Sequence, residues 1–66
     1  MTPEQKVIRE YRKGQSSFYD GYKTEDCHYR GGKELSIWMI GYHDAQDNIE
    51  KDANEILEIL EKRNLI

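Results

Sequence analysis

Three sets of side chains in this 66-residue chain could do chemistry. Cys27 and His28 are adjacent, with His43 further on, which raises nucleophilic catalysis and metal binding. Adjacent residues on an extended segment point to opposite sides, so His28 is poorly placed to take the thiol proton. Adjacent Cys-His is not a chelating spacing, and the second pair of a zinc site is missing. The run Arg30-Gly31-Gly32-Lys33 ahead of a helix could hold one anion, but it reads more simply as a flexible turn and cap. Neither a phosphate-binding Gly-x-x-x-x-Gly-Lys loop nor paired acids for magnesium can be assigned. The expectation is therefore no enzyme, no catalytic residue, no metal and no cofactor. The set that remains is cationic. Arg9, Arg12 and Lys13 lie side by side on one helical surface, and Lys23, Arg30 and Lys33 surround the segment after it. Tyr19 and Tyr29 are available to stack on bases. The competing reading is a solvated face partly neutralised by Glu4 and Glu10.

Composition limits what these residues can serve. Ten Lys+Arg stand against 13 Asp+Glu, for a net charge of -3, with 36% hydrophobic residues. The charge is uneven. Residues 1–30 carry six basic side chains against five acidic ones, whereas residues 31–66 carry four against eight. A chain this short buries only about 60% of its unfolded surface, so its core is thin. A deep catalytic cleft is hard to build from so little material. One cysteine cannot close an intrachain disulfide, no apolar run approaches a membrane span, and the N-terminal segment lacks the apolar stretch of a signal peptide. These features predict a cytoplasmic protein with no membrane partner.

The elements that must position the cations are helices. Thr2-Pro3-Glu4-Gln5 is a helix start, with a capping residue, a proline at the first position and Gln5 placed for a capping box. Ile8, Tyr11, Gln15, Phe18 and Tyr22 recur at three-four spacing, which predicts a helix from Pro3 to about Tyr22, with Gly14 as a possible bend. Lys23 to Lys33 is an aperiodic connector, long for a helical hairpin. Leu35, Trp38, Tyr42, Ala45, Ile49, Ala53, Ile56 and Leu60 then continue at helical spacing. With no Pro or Gly after Tyr42, this predicts one helix from about Glu34 to Lys62, roughly 43 Å long against about 30 Å for the first. The overhang would leave Ile49, Ile56, Leu57, Ile59 and Leu60 uncovered, and homodimerisation is the natural remedy. The fold class is thus all-α, a two-helix hairpin over residues 1–48 with an amphipathic extension over 49–66. The acidic polar face of that extension argues against a membrane surface.

The centre of the chain, SFYDGYKTEDCHYRGGKELSIWMIGYHDA, resembles the ribosome modulation factor family. Phe18 and Gly21 match its aromatic and glycine. Cys27-His28-Tyr29 matches a connector Cys-Pro-Tyr, and Trp38, Gly41, Tyr42 and Ala45 match Trp-x-x-Gly-aromatic-x-x-Ala at the family's own interval. These anchors span about 28 of the 66 residues. Departures are the acidic net charge, His28 in place of proline, a shorter segment from Gly21 to Cys27, and the acidic tail. In physical terms, Gly21 and Gly41 would let the helices approach closely, Phe18, Tyr22, Trp38 and Tyr42 would supply the core, and Cys27 and Tyr29 would plug its open end. The resemblance implies binding to the ribosome or its RNA to modulate translation, through Arg9, Arg12, Lys13, Lys23, Arg30 and Lys33. The alternative is a small inhibitor of phage or mobile-element type. It would dock on a protein through the acidic C-terminal helix and exposed aromatics, or sequester a small anionic ligand.

Overall fold

A computed structural model of the chain describes residues 2–27, 29 and 31–65. It contains three α-helices, α1 (Pro3–Tyr19), α2 (Gly32–Gln46) and α3 (Ala53–Lys62), with a short 3-10 turn at Thr24–Asp26. The all-α class expected from the periodicity is present. No helix among the described residues is long and apolar enough to cross a membrane.

Helix α1 begins as its sequence dictates. The Thr2 hydroxyl accepts the Gln5 N–H, and the Gln5 side chain accepts the Thr2 N–H, both at 3.2 Å. This reciprocal pair satisfies two N–H groups that a helix start otherwise leaves orphaned. The helix stops at Tyr19 because Gly21 takes a left-handed conformation (φ 86°). The Tyr22 N–H then reaches back to the Ser17 carbonyl, and the Gly21 N–H to that of Phe18. This is the Schellman closure, in which a left-handed residue turns the chain and caps the last carbonyls.

The same closure overturns the single long helix expected over 34–62. Asn48 adopts φ 60°, the Ile49 N–H bonds the Asp44 carbonyl at 2.7 Å, and the Asn48 N–H bonds that of Ala45 at 3.1 Å. Four residues later Asp52 caps a new helix, its carboxylate accepting the Glu55 N–H at 2.9 Å. Asparagine tolerates the left-handed region better than other residues with a side chain, so it can end a helix where no glycine or proline is present. Asn64, at φ 58°, ends α3 in the same way.

Helices α1 and α2 form the frame, pressed together at two glycines. A Cβ on Gly14 would lie 2.0 Å from the Trp38 carbonyl oxygen, and one on Gly41 would lie 1.9 Å from that of Tyr11. Backbone meets backbone here, with no room for a methyl group. Gly14 is therefore a contact point within a continuous helix, and not a bend. Gly21, expected to share this role with Gly41, has nothing within 4 Å of its would-be Cβ and serves only the turn.

The first halves of the two helices pair with each other. Pro3, Val7 and Glu10 share a cleft with Lys33, Glu34 and Ile37, while Phe18 meets Tyr42 at the other end. The connector must therefore travel back along α1, which is about 25 Å long; residues 20–31 can span up to about 40 Å. That return journey accounts for its length.

The core is small. Tyr11, Ile37, Ile56 and Leu60 are fully buried together, with Val7, Ile8, Ile40, Ile59 and Leu65 packed around them. Trp38 and Ala45 are buried beside this cluster, but Phe18 and Tyr42 are only half-buried and Tyr22 is exposed. Of the four aromatics expected to supply the core, Trp38 is in it, whereas Phe18 and Tyr42 form its edge and Tyr22 lies outside. Ile56 and Leu60 come from α3, which folds back onto α1. Two residues expected on an uncovered dimer face are thus inside their own chain, and there is no overhang to cover. Leu57 and Ile59 are half-buried and Ile49 is exposed.

A polar cluster ties α3 to this frame. The Tyr11 hydroxyl donates to the Asp44 carboxylate at 2.5 Å, and the Lys51 ammonium reaches the same oxygen at 2.5 Å. Gln15 donates to the Tyr11 oxygen at 3.5 Å. Burial, followed by the Asp44 carboxylate, pushes the Tyr11 hydroxyl well above the usual tyrosine range. It stays protonated as the donor this cluster needs.

Candidate nucleic-acid interface

The outer side of α1 carries the cations. Gln5, Arg9, Arg12, Ser16 and Tyr19 follow one another at spacings of four, three, four and three, so they form one stripe on a 3.6-residue helix. Apart from the half-buried face turned toward the core, this side of the helix is solvent-exposed. Arg9, Arg12 and Lys13, with the hydroxyls of Ser16 and Ser17, line a groove of about 730 Å³. Gln5 and Ile8 of the same helix, the connector's Tyr29 and α2's Trp38 complete its lining.

Glu10, on the same helix between Arg9 and Arg12, is already engaged. Glu10 is 6% exposed, accepts a hydrogen bond from the Tyr29 hydroxyl and lies 3.8 Å from the Lys13 ammonium. A buried carboxylate held by a hydroxyl and an ammonium does little to neutralise Arg9 and Arg12, whose guanidinium groups make no ion pair among the described residues. Tyr29 therefore does not plug the open end of the helix pair. It clamps the connector against the middle of α1 and forms a wall of the groove.

Three of the six predicted cations meet in this groove. Lys33 lies in a different cleft, beside Lys6 and Glu34, and Lys23 is exposed at the start of the 3-10 turn. Arg30 and His28 lie outside the described residues. The remaining chemistry-bearing groups are quiet. Cys27 is half-buried, and burial, followed by Glu10, raises its thiol pKa. It accepts the Tyr29 N–H at 3.4 Å, so its structural part is to shape the connector. His43 is exposed and pairs with Gln46 at 3.3 Å. Among the described residues no three His, Cys, Asp or Glu side chains converge as metal ligands.

The residues carrying the family resemblance have structural positions. Trp38, Gly41 and Ala45 form the buried face of α2. The Tyr42 ring stacks on Trp38 at 5.2 Å and meets the edge of Phe18 at 5.4 Å. The Tyr42 hydroxyl donates to the Tyr22 carbonyl at 2.8 Å, fixing the turn after α1. The tail's docking capacity is reduced, since Ile56 and Leu60 are consumed in the core and its exposed side presents Glu55, Glu58 and Glu61. Sequence reasoning missed Gly14, Asp44 and Lys51. Gly14 could have been paired with Gly41, whereas nothing local marks Asp44 or Lys51. Set against protein-family models, curated proteins and solved structures, the chain matches none of them.

Proposed function

We propose that the protein is a non-enzymatic binder of ribosomal RNA that modulates translation, with the outer face of α1 as its contact surface. One observation carries this reading. Arg9, Arg12 and Lys13 line a single groove with two serine hydroxyls, and the Glu10 carboxylate between the arginines is buried against Tyr29. Guanidinium groups and hydroxyls are the side chains that take phosphodiester oxygens. The resemblance to the ribosome modulation factor family points to the same class of target. The net acidity of the chain lies mainly in residues 31–66, whereas these cations lie on α1.

The test is co-sedimentation with ribosomal subunits on sucrose gradients, together with binding to ribosomal RNA at 50 and 200 mM salt. Neutralisation of three phosphates makes affinity fall roughly twenty- to forty-fold over that range. Arg9→Glu with Arg12→Glu abolishes binding. A protein that stays at the top of the gradient at both salts, or binds as well after charge reversal, overturns the reading.

A further inference from the structure

We infer that the groove receives unpaired RNA, with phosphates on Arg9 and Arg12 and a base against the exposed tyrosines at the C-terminal end of α1; this rests on the RNA-binding reading above. Tyr19 and Tyr22 are 67% and 54% exposed, the two most exposed large hydrophobic side chains among the described residues. Tyr19 ends the stripe that carries Arg9 and Arg12, and it borders a second hollow shared with Arg12, Gln15, Glu50 and Lys51, where the one acid is matched by two cations. The cationic groove and the aromatic end are therefore joined through one arginine.

The end is rigid. Tyr19 meets Phe18 edge-on at 5.6 Å, Phe18 meets Tyr42 at 5.4 Å, and Tyr42 stacks on Trp38. Four rings thus run from an exposed tyrosine to the buried tryptophan of the groove. Tyr22 is held at its carbonyl by the Tyr42 hydroxyl while its ring faces solvent. Aromatic side chains already fixed in place lose little entropy when a base stacks on them.

Electrostatics assigns the two ends of the stripe different tasks. The last turn of α1 has no basic residue and is followed by Asp20. The partial negative charge of a helix C-terminus adds to this carboxylate and repels phosphate. A neutral ring with N–H edges suits that end, and phosphate suits the arginines about two to three turns before Tyr19. A duplex keeps its bases stacked on one another and offers none to Tyr19 or Tyr22, so the site selects single strands. Tyr29 contributes no stacking face of this kind, because it is half-buried and hydrogen-bonded to Glu10.

The chain's one tryptophan, Trp38, is a built-in reporter for titration. The full-length protein is titrated with a single-stranded octaribonucleotide, an octamer of the same charge with abasic positions, a blunt RNA duplex, and inorganic polyphosphate. The single strand binds at least fivefold more tightly than each of the others. Tyr19→Ala with Tyr22→Ala removes that advantage and leaves polyphosphate affinity unchanged. Tyr19→Phe with Tyr22→Phe retains the advantage, and circular dichroism verifies that each variant is folded. Equal affinity for abasic and normal strands, preference for duplex, or a single-strand advantage that survives Tyr19→Ala with Tyr22→Ala, overturns base stacking while leaving phosphate binding intact. Failure of every polyanion to bind overturns the RNA reading as well, and leaves a protein as the target.

Discussion

Helix α2 and helix α3 both pack on α1, but by opposite means. The closest α1–α2 contact is made of backbone: Gly14 and Gly41 bring main chain against main chain, and each missing side chain is the condition for the fit. The α3 contact is made of side chains: Ile56 and Leu60 fill the space over Tyr11 and Ile37, and Lys51 reaches Asp44 just ahead of the helix. A backbone contact has nothing that can change rotamer to absorb an added atom. A side-chain contact can loosen by degrees. The first fixes the frame, and with it the groove that α1 lines together with Tyr29 and Trp38; the second completes the core.

The largest effect expected from this difference is at the glycines. Gly41→Ala places a Cβ on the Tyr11 carbonyl, and Gly14→Ala places one on that of Trp38. Overpacking of this kind costs about 1–3 kcal/mol where side chains can adjust, and more where they cannot. A domain of this length has roughly 3–10 kcal/mol in all. Either variant should lose its cooperative thermal transition, as followed by circular dichroism. A well-folded Gly41→Ala protein would show that the helices can slide apart, and the comparison would collapse.

Next comes the side-chain contact. Leu60→Ala removes a fully buried side chain from the core and should cost about 2–5 kcal/mol. The loss should be local first. Amide hydrogen exchange should speed up across Ala53–Lys62 while the α1–α2 frame keeps its protection. Equal loss of protection in all three helices would mean that α3 and the frame fold as one unit.

How much of this was legible in the residues follows the same division. Local signals were readable: the Thr2–Gln5 capping box is present, and the stripes correctly marked helices. Arg9, Arg12 and Lys13 were placed on one surface by spacing alone, because i, i+3 and i+4 neighbours meet whatever the rest of the fold does. Contacts between elements were less readable. Gly14 costs about 1 kcal/mol in an isolated helix and reads as a weak point until Trp38 is seen against it. The apolar stripe continued through Asn48 and implied an overhang, whereas Ile56 and Leu60 fold back into the chain's own core. The signals for the break were present, an asparagine followed by Asp52-Ala53-Asn54-Glu55, but periodicity outweighed them. Lys33 was grouped with Arg9 by charge, and only the path of the connector separates them.

The smallest expected effect decides whether that break is imposed by the turn or by the core. Asn48 sits at φ 60°, where a residue with a Cβ is strained by about 1–2 kcal/mol and asparagine by less. Asn48→Ala should therefore destabilise the protein by about 1 kcal/mol, lowering the melting temperature by roughly 4–8 °C at this size. Asn48→Gly relieves the strain but gives the unfolded chain more freedom, so it should fall within about 0.5 kcal/mol of the parent. If the turn imposes the break, Asn48→Ala should also let α2 run on through Asp47–Asp52, with helical content rising as stability falls. If the core imposes it, burial of Ile56 and Leu60 holds the turn closed and helical content stays fixed. The side-chain contact would then be strong enough to dictate backbone conformation at least eight residues away, and α3 would belong to the frame as firmly as α2 does.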